Sequence, residues 1–346
     1  MNIELLIRGN VKSLKPYSSA RDEFKDISSD LVFLDANENP FDNDMNRYPD
    51  PQQFVLKNRL SEIKNIPINN ILLGNGSDEI LDLIFRVFCE PNQDKVITLP
   101  PTYGMYNVLA NINAVKNIEI PLRSIDFQPD IDEILRAANK RTKLLFLCSP
   151  NNPTANSFNP ELVEKLLNQF KGIVIIDEAY IDFSKQESWL SRLDEFPNLI
   201  VTHTLSKAYG MAGIRLGICY ASKTITDALH KIKPPYNVNE LTQQKAIKRL
   251  MNSSNVVQEV NYLIEQKAQL VEQLKHIECI EKIFPSDANF ILIKVDSAIK
   301  RYNQLIKKGI VVRNRTNETN CDNCLRITIG TEKENKKLVK IFNEFK

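Results

Sequence analysis

Between positions 71 and 221 short runs of consecutive apolar residues recur, each followed by a polar loop and then by apolar residues at helical spacing. The runs are 71–73, 96–99, 144–148, 173–176, 199–202 and 218–221, with helical periods between them, as at 79–88 and 162–170. A strand that is apolar at every position must be covered on both faces, and alternation with helices supplies that cover. The pattern therefore predicts an α/β domain around a mostly parallel sheet. Sheets of this kind bind ligands beyond the carboxyl ends of their strands.

The polar clusters lie where that rule expects them. Gly74-Asn75-Gly76-Ser77-Asp78 follows the first run and Pro100-Pro101-Thr102-Tyr103 the second. Ser149-Pro150-Asn151-Asn152-Pro153-Thr154, Asp177-Glu178-Ala179-Tyr180 and Thr204-Leu205-Ser206-Lys207 follow later ones. The chain has only 10 glycines in 346 residues. Gly74, Gly76, Gly104, Gly210, Gly213 and Gly217 all fall in or beside these clusters, where glycine permits unusual backbone angles or close approach. The clusters are read as one site. The expected organisation is an N-terminal arm over 1–30, a large α/β domain over 31–238, and a linking helix with a smaller α+β domain over 239–346. The helical stretch runs from 239 to about 276.

Lysine plus arginine number 45 against 43 aspartate plus glutamate, with no block of one sign, which argues against nucleic acid or an anionic membrane as partner. No run reaches the roughly 18 apolar residues of a membrane span. The first residues lack the pattern of a secretory signal, and six scattered cysteines suit reduced thiols. A cytoplasmic protein is expected. Cys321-Asp322-Asn323-Cys324 lacks a second ligand pair and reads as a loop between strands, so no metal is expected.

The clusters also carry a chemistry. Lys207 stands just beyond an apolar run among hydroxyls, glycines and Arg215. A lysine amine that is neutral and near other cations condenses with an aldehyde. Asp177 is placed to face a pyridinium nitrogen, and Tyr180 or Asn152 to bond a phenolic oxygen. Gly76, Ser77 and Asp78 open a helix whose free amides attract a phosphate. Tyr103, after two prolines, is placed to lie on a planar ring. Together these are the groups that hold pyridoxal phosphate and use it as an electron sink. A dinucleotide turn is the poorer reading, because Gly74-Asn75-Gly76 continues to Glu79 where a third glycine is required.

With these residues the chain resembles the fold-type I pyridoxal-phosphate aminotransferases. Leu14-Lys15-Pro16-Tyr17-Ser18-Ser19-Ala20-Arg21, Ala36-Asn37-Glu38-Asn39-Pro40, Arg47-Tyr48-Pro49-Asp50 and Cys324-Leu325-Arg326-Ile327-Thr328 also carry the resemblance, and the Tyr17 and Asn37 segments favour its histidinol-phosphate branch. The resemblance implies a large domain with a mostly parallel seven-stranded sheet flanked by helices, plus a smaller α+β domain. It implies pyridoxal 5'-phosphate as cofactor and amino transfer from L-histidinol phosphate to 2-oxoglutarate, giving imidazole acetol phosphate and glutamate, as a step of histidine biosynthesis. An aromatic aminotransferase or a phosphothreonine decarboxylase on the same fold is the alternative. Lys207 is then the covalent anchor and proton shuttle, with Asp177 on the pyridinium, Asn152 and Tyr180 on the phenolic oxygen, and Tyr103 on the ring. Ser77 with its neighbouring amides, Thr204, Ser206 and Arg215 hold the cofactor phosphate. Tyr48 reaches the site of the other subunit of a homodimer. Tyr17, Arg313 and Arg326 clamp the substrate, and Asn37 lies near its amine. One departure is Ala155, where the family has glycine. If the loop needs a positive φ there, alanine costs about 1 kcal/mol.

Overall fold

The computed structural model describes residues 1–19 and 32–345. Residues 20–30 of the expected arm, including Ala20 and Arg21 of the Tyr17 segment, lie outside the described residues. The seven strands of the large sheet are β1 (Ile71–Asn75), β2 (Lys95–Thr98), β3 (Lys116–Glu119), β4 (Thr142–Cys148), β5 (Ile173–Asp177), β6 (Leu199–Thr204) and β7 (Leu216–Ala221). Their spatial order is β1-β7-β6-β5-β4-β2-β3. All pairs between β6 and β3 are parallel, whereas β7 runs antiparallel to both β1 and β6. Six of these strands fall on the apolar runs of the sequence. β3 does not, because it is an edge strand with no fully buried residue and a polar sequence, Lys-Asn-Ile-Glu.

Alternate residues of each strand feed the two faces. Val174 and Ile176 of β5 enter one core with Leu145 and Leu147, while Ile173 and Ile175 enter the other with Leu144 and Phe146. The helix Ser77–Phe88 brings seven buried side chains to the second face, which is how a strand apolar on every residue stays dry on both sides.

The four-stranded second sheet has the order β10-β11-β9-β8 and is wholly antiparallel. It comprises β8 (Ile280–Ile283), β9 (Phe290–Val295), β10 (Arg313–Asn314) and β11 (Cys324–Thr328). The long helical stretch is two helices, Glu240–Met251 and Ser253–Leu274, interrupted at Asn252, whose φ of −107° and ψ of 42° are not helical. A small cluster of Ala155, Tyr180, Phe183, Ala208, Val256, Val260, Ala288 and Phe290 joins the loops of the large sheet to the second sheet. Within the N-terminal segment the helix Gly9–Ser13 packs on the helix Lys223–Ile232, and Arg8 pairs with Glu90 at 3.0 Å.

Candidate active site

Strand direction assembles the site. β1, β4, β5 and β6 end at one edge of the sheet, and the reversed β7 begins there. Thr204 and Gly74 both pair with Gly217 in register, and Cys148 pairs with Asp177. Arg215, just before β7, is thereby returned to the edge where Lys207 leaves β6. The cleft at this edge has about 510 Å³ of space, its open mouth included, and is lined by Ser77, Asp78, Tyr103, Asn152, Asp177, Tyr180, Thr204, Ser206, Lys207 and Arg215, with Cys148 and Ala179. Every cofactor-binding residue expected from the sequence lines it except Gly76, which abuts it through Arg215, and Tyr48.

Asp177 is buried at the end of β5. One carboxylate oxygen accepts the phenol of Tyr106 at 2.8 Å and the other accepts the Ala179 amide at 3.2 Å. Burial pushes the Asp177 carboxyl above its ordinary range, and these two donors work in the opposite direction. Next to it Glu178 is buried and takes hydrogen bonds from Trp189 N and His203 Nε2, both at 2.8 Å, and from the Ser188 hydroxyl, which fixes the end of the strand.

Lys207 sits in the turn after β6 with its amine 5.5 Å from the centre of the Tyr180 ring. Although its side chain opens toward the cleft, its proton affinity is lowered, first by desolvation and then by the Arg326 and Arg215 charges, with Asp177 opposing. That combination favours the neutral, nucleophilic amine. Tyr180 is buried and meets Phe290 edge-on, with ring centres 5.1 Å apart.

On the opposite side of the cleft, Gly76 has φ +79° and precedes the helix that begins at Ser77. A Cβ at Gly76 would come 2.8 Å from Arg215 Nη2, and a Cβ at Gly217 would come 2.4 Å from both Gly76 C and Ser77 N. Two glycines thus let the turn settle onto β7 and leave room for the guanidinium. Arg215 lies 3.6 Å from Asp78, whose other oxygen accepts the Tyr103 phenol at 3.0 Å. Thr204 Oγ1 accepts the Ser206 amide at 3.1 Å and donates to Leu216 O at 3.2 Å, shaping the turn that carries Lys207.

Arg326 reaches the cleft from β11. It donates to Asn152 Oδ1, and its guanidinium lies 5.2 Å from the centre of the Phe290 ring. Burial lowers its proton affinity, as do Arg315 and Arg313 nearby. Arg313 is exposed on β10 and stands opposite Arg326 in register. The remaining expected residues lie elsewhere within the single chain. Tyr48 is half exposed and stacks on Tyr236 at 4.5 Å, beside a cavity that it shares with Asn37. Tyr17 lines a third cavity. Ala155 is fully buried and has φ +67°, so the loop does adopt the left-handed backbone at the position where alanine replaces glycine.

Tyr106 was not singled out by its sequence. The available signal is its closeness to Tyr103, one turn's length away at the start of the helix that opens at Met105. Tyr106 is fully buried, stacks on Phe146 at 4.8 Å and meets Tyr103 edge-on at 5.6 Å. The set suits a flat aromatic aldehyde that carries a phosphate. The glycine turn, hydroxyls and guanidinium take the phosphate, the buried acid takes a ring N–H, and the amine takes the aldehyde. Among the described residues no group of three or more His, Cys, Asp or Glu stands close enough to hold a metal ion. Cys321 and Cys324 are buried free thiols at the entry to β11.

Residues 29–342 match the family model described as aminotransferase class I and II. The chain belongs to that family. Two aminotransferase relatives extend the likeness over nearly the whole chain. One, from Flavobacterium johnsoniae, is 62% identical over 98% of this chain and 97% of its own length, and is named histidinol-phosphate aminotransferase. Another of the same name, from Christiangramia forsetii, is 59% identical over 99% of this chain and 98% of its own. Among solved aminotransferase structures, the histidinol-phosphate aminotransferase from Clostridium acetobutylicum superposes with a TM-score of 0.80 at 25% identity, covering 86% of this chain and 90% of that one.

Proposed function

We propose that this aminotransferase moves the amino group of L-histidinol phosphate to 2-oxoglutarate, with pyridoxal 5'-phosphate as its cofactor. The observation that carries the reading is the meeting in one cleft of a desolvated amine, a buried carboxylate and a glycine-lined phosphate turn. The names of near-full-length relatives at 59% and 62% identity support the choice of donor.

When bound, pyridoxal phosphate supplies an electron-poor ring that accepts the electron pair left as the donor loses its α-proton. Lys207 Nζ would hold the cofactor by its aldehyde and, as a free neutral amine, would accept the donor's α-proton and hand it on. Asp177 holds the proton on the ring nitrogen, and Tyr106 and the Ala179 amide keep Asp177 ionised for that task. Asn152 and Tyr180 bond the phenolic oxygen, and Tyr103 covers the ring. Ser77 with the Gly76–Asp78 amides, Thr204, Ser206 and Arg215 hold the phosphate. Arg326 and Arg313 receive the donor's phosphate and the carboxylate of the acceptor, with Tyr17 and Asn37 completing the clamp.

The assembly is read as a homodimer in which Tyr48 serves the partner's site. Val32, Leu34, Phe41, Phe54 and Val55, which flank Tyr48 in the sequence, are exposed apolar side chains of the kind that association covers. The division of the chain at 30 and 238, and a cytoplasmic location, belong to the same reading. No helix among the described residues is long and apolar enough to cross a membrane.

The test compares amino transfer to 2-oxoglutarate from histidinol phosphate and from phenylalanine, together with carbon dioxide release from phosphothreonine. Preference for histidinol phosphate is expected. Preference for phenylalanine, or decarboxylation, would replace the reading by one of its neighbours. Lys207→Ala should abolish turnover, and near-parental turnover would reject the assignment of the amine.

A further inference from the structure

A second cationic cavity lies away from the cleft, between the N-terminal segment, the helix Phe54–Lys64 and the end of the helix Lys223–Ile232. It encloses about 1410 Å³ with its open mouth, and its walls include Tyr17, Ser18, Lys57, His230, Lys231 and Lys233. The facing acid is Asp227, which is held by Lys223 at 2.5 Å. Lys57 is the unusual member. It is 6% exposed, and its amine has no hydrogen bond or ion pair among the described residues, with Asp50 its one compensating charge. Both carboxylate oxygens of Asp50 are already engaged by the amides of Gln52 and Phe54. Its stem is buried while its amine reaches the cavity, where unused N–H groups can meet an anion. Lys231 spends two donors on the carbonyls of Val11 and Lys12 and keeps one. His230 titrates at about 4, held down by burial and by the charges of Lys57 and Lys233, with Asp227 and a bond to the Ile71 backbone opposing.

We propose that this cavity is an anion site for a phosphate group, bound by Lys57 and Lys231 and separate from the cofactor phosphate and from Arg326. It goes beyond the transaminase reading and does not depend on it. It also has a route to the cofactor cradle. Lys233 donates to Asn237 Oδ1 at 3.0 Å, Asn237 donates to Glu79 Oε2 at 2.7 Å, and the same oxygen accepts the Asn75 amide beside the glycine turn.

The test uses the cofactor-loaded enzyme carrying Arg326→Ala, so that the substrate's own anion site is weakened. Inorganic phosphate and glycerol phosphate are titrated by calorimetry, while the His230 ring is followed by NMR. Binding is expected with both probes, the better one identifying the free ion or an ester, and the His230 midpoint should rise as the anion offsets its cationic neighbours. Lys57→Met should weaken binding about tenfold or more and remove the phosphate-dependent shift, and Lys57→Arg should keep both. Lys57→Met in the otherwise intact enzyme should turn over at the parental rate in phosphate-free buffer. Phosphate binding that survives Lys57→Met unchanged overturns the proposal, leaving Lys57 as a desolvated amine with no ligand role. Binding seen only when Arg326 is intact would equally overturn it, by assigning the anion to the cleft.

Discussion

Tyr106→Phe isolates one hydrogen bond on which the chemistry depends. The phenol donates to Asp177 Oδ2 at 2.8 Å, with both groups buried. A hydrogen bond to a charged acceptor contributes about 1.5–3 kcal/mol. The substitution keeps the ring that stacks on Phe146 at 4.8 Å, so little packing is lost. Ala179 N at 3.2 Å and the buried Thr202 hydroxyl remain beside the carboxylate, on sides the phenol does not occupy. The ionised form of Asp177 is therefore weakened by about 2 kcal/mol, a factor of roughly 30 at 1.4 kcal/mol per decade. Burial already raises the Asp177 carboxyl, and loss of a donor raises it further, so a smaller fraction is ionised at any given acid pH. Turnover should fall about 10- to 100-fold, and the acid limb of the rate profile should move to higher pH. Single-turnover reaction with glutamate, followed by absorbance across the pH range, measures both effects. Turnover within twofold of the parent on an unshifted profile would show that Asp177 does not need this phenol.

Three further perturbations test other parts of the structure. In Gly217→Ala the new methyl meets Gly76 C and Ser77 N at 2.4 Å, both backbone, so cofactor affinity should fall at least about tenfold and stability by about 1–3 kcal/mol; parental affinity in a cofactor titration would contradict the cradle. Ala155→Gly relieves about 1 kcal/mol of left-handed backbone strain but loses a buried methyl, about 0.8 kcal/mol, and adds unfolded-state freedom. Urea unfolding should therefore shift by less than about 1 kcal/mol, and a gain above about 2 kcal/mol would mean the strain is larger than its φ implies. Asp177→Asn should stabilise the cofactor-free protein while removing most turnover. The folded protein holds the Asp177 proton to higher pH than the unfolded chain does, so its stability falls as pH rises above the unfolded value of 3.8. The advantage of the asparagine variant should thus grow with pH from that point, and an advantage confined to acid would reverse the sign of the argument.

The elements that the sequence discloses are those whose burial is uniform. β4 and β5 are apolar at nearly every position because helices cover both faces. β3 escapes detection because edge pairing asks nothing apolar of Lys116 or Asn117. The break at Asn252 is equally quiet, since both flanking helices keep their periodicity and only the backbone angles change. In the cleft, the lysine, acid, phosphate turn and Arg326 are legible because each reacting group must have one particular chemistry. Tyr106 is not, since a phenol buried against Phe146 looks like ordinary core until its oxygen is seen on Asp177. In the proposed homodimer, where Tyr48 and Tyr17 work would depend on a neighbouring subunit's surface, which no periodicity within one chain encodes.

The reversed strand β7 also sets a timetable for the chain. Ile71 finds its partner only in Tyr220, so throughout synthesis β1 waits beside an unfilled slot while five parallel strands form without it. The glycine turn at Gly76 has no floor until Gly217 arrives. Contacts of such sequence separation are slow to close. A nascent chain halted before residue 216 would carry the anchoring region unbuilt and one sheet edge open, prone to capture by a similar edge. Competence to take up the vitamin should therefore switch on late and abruptly as β7 leaves the ribosome.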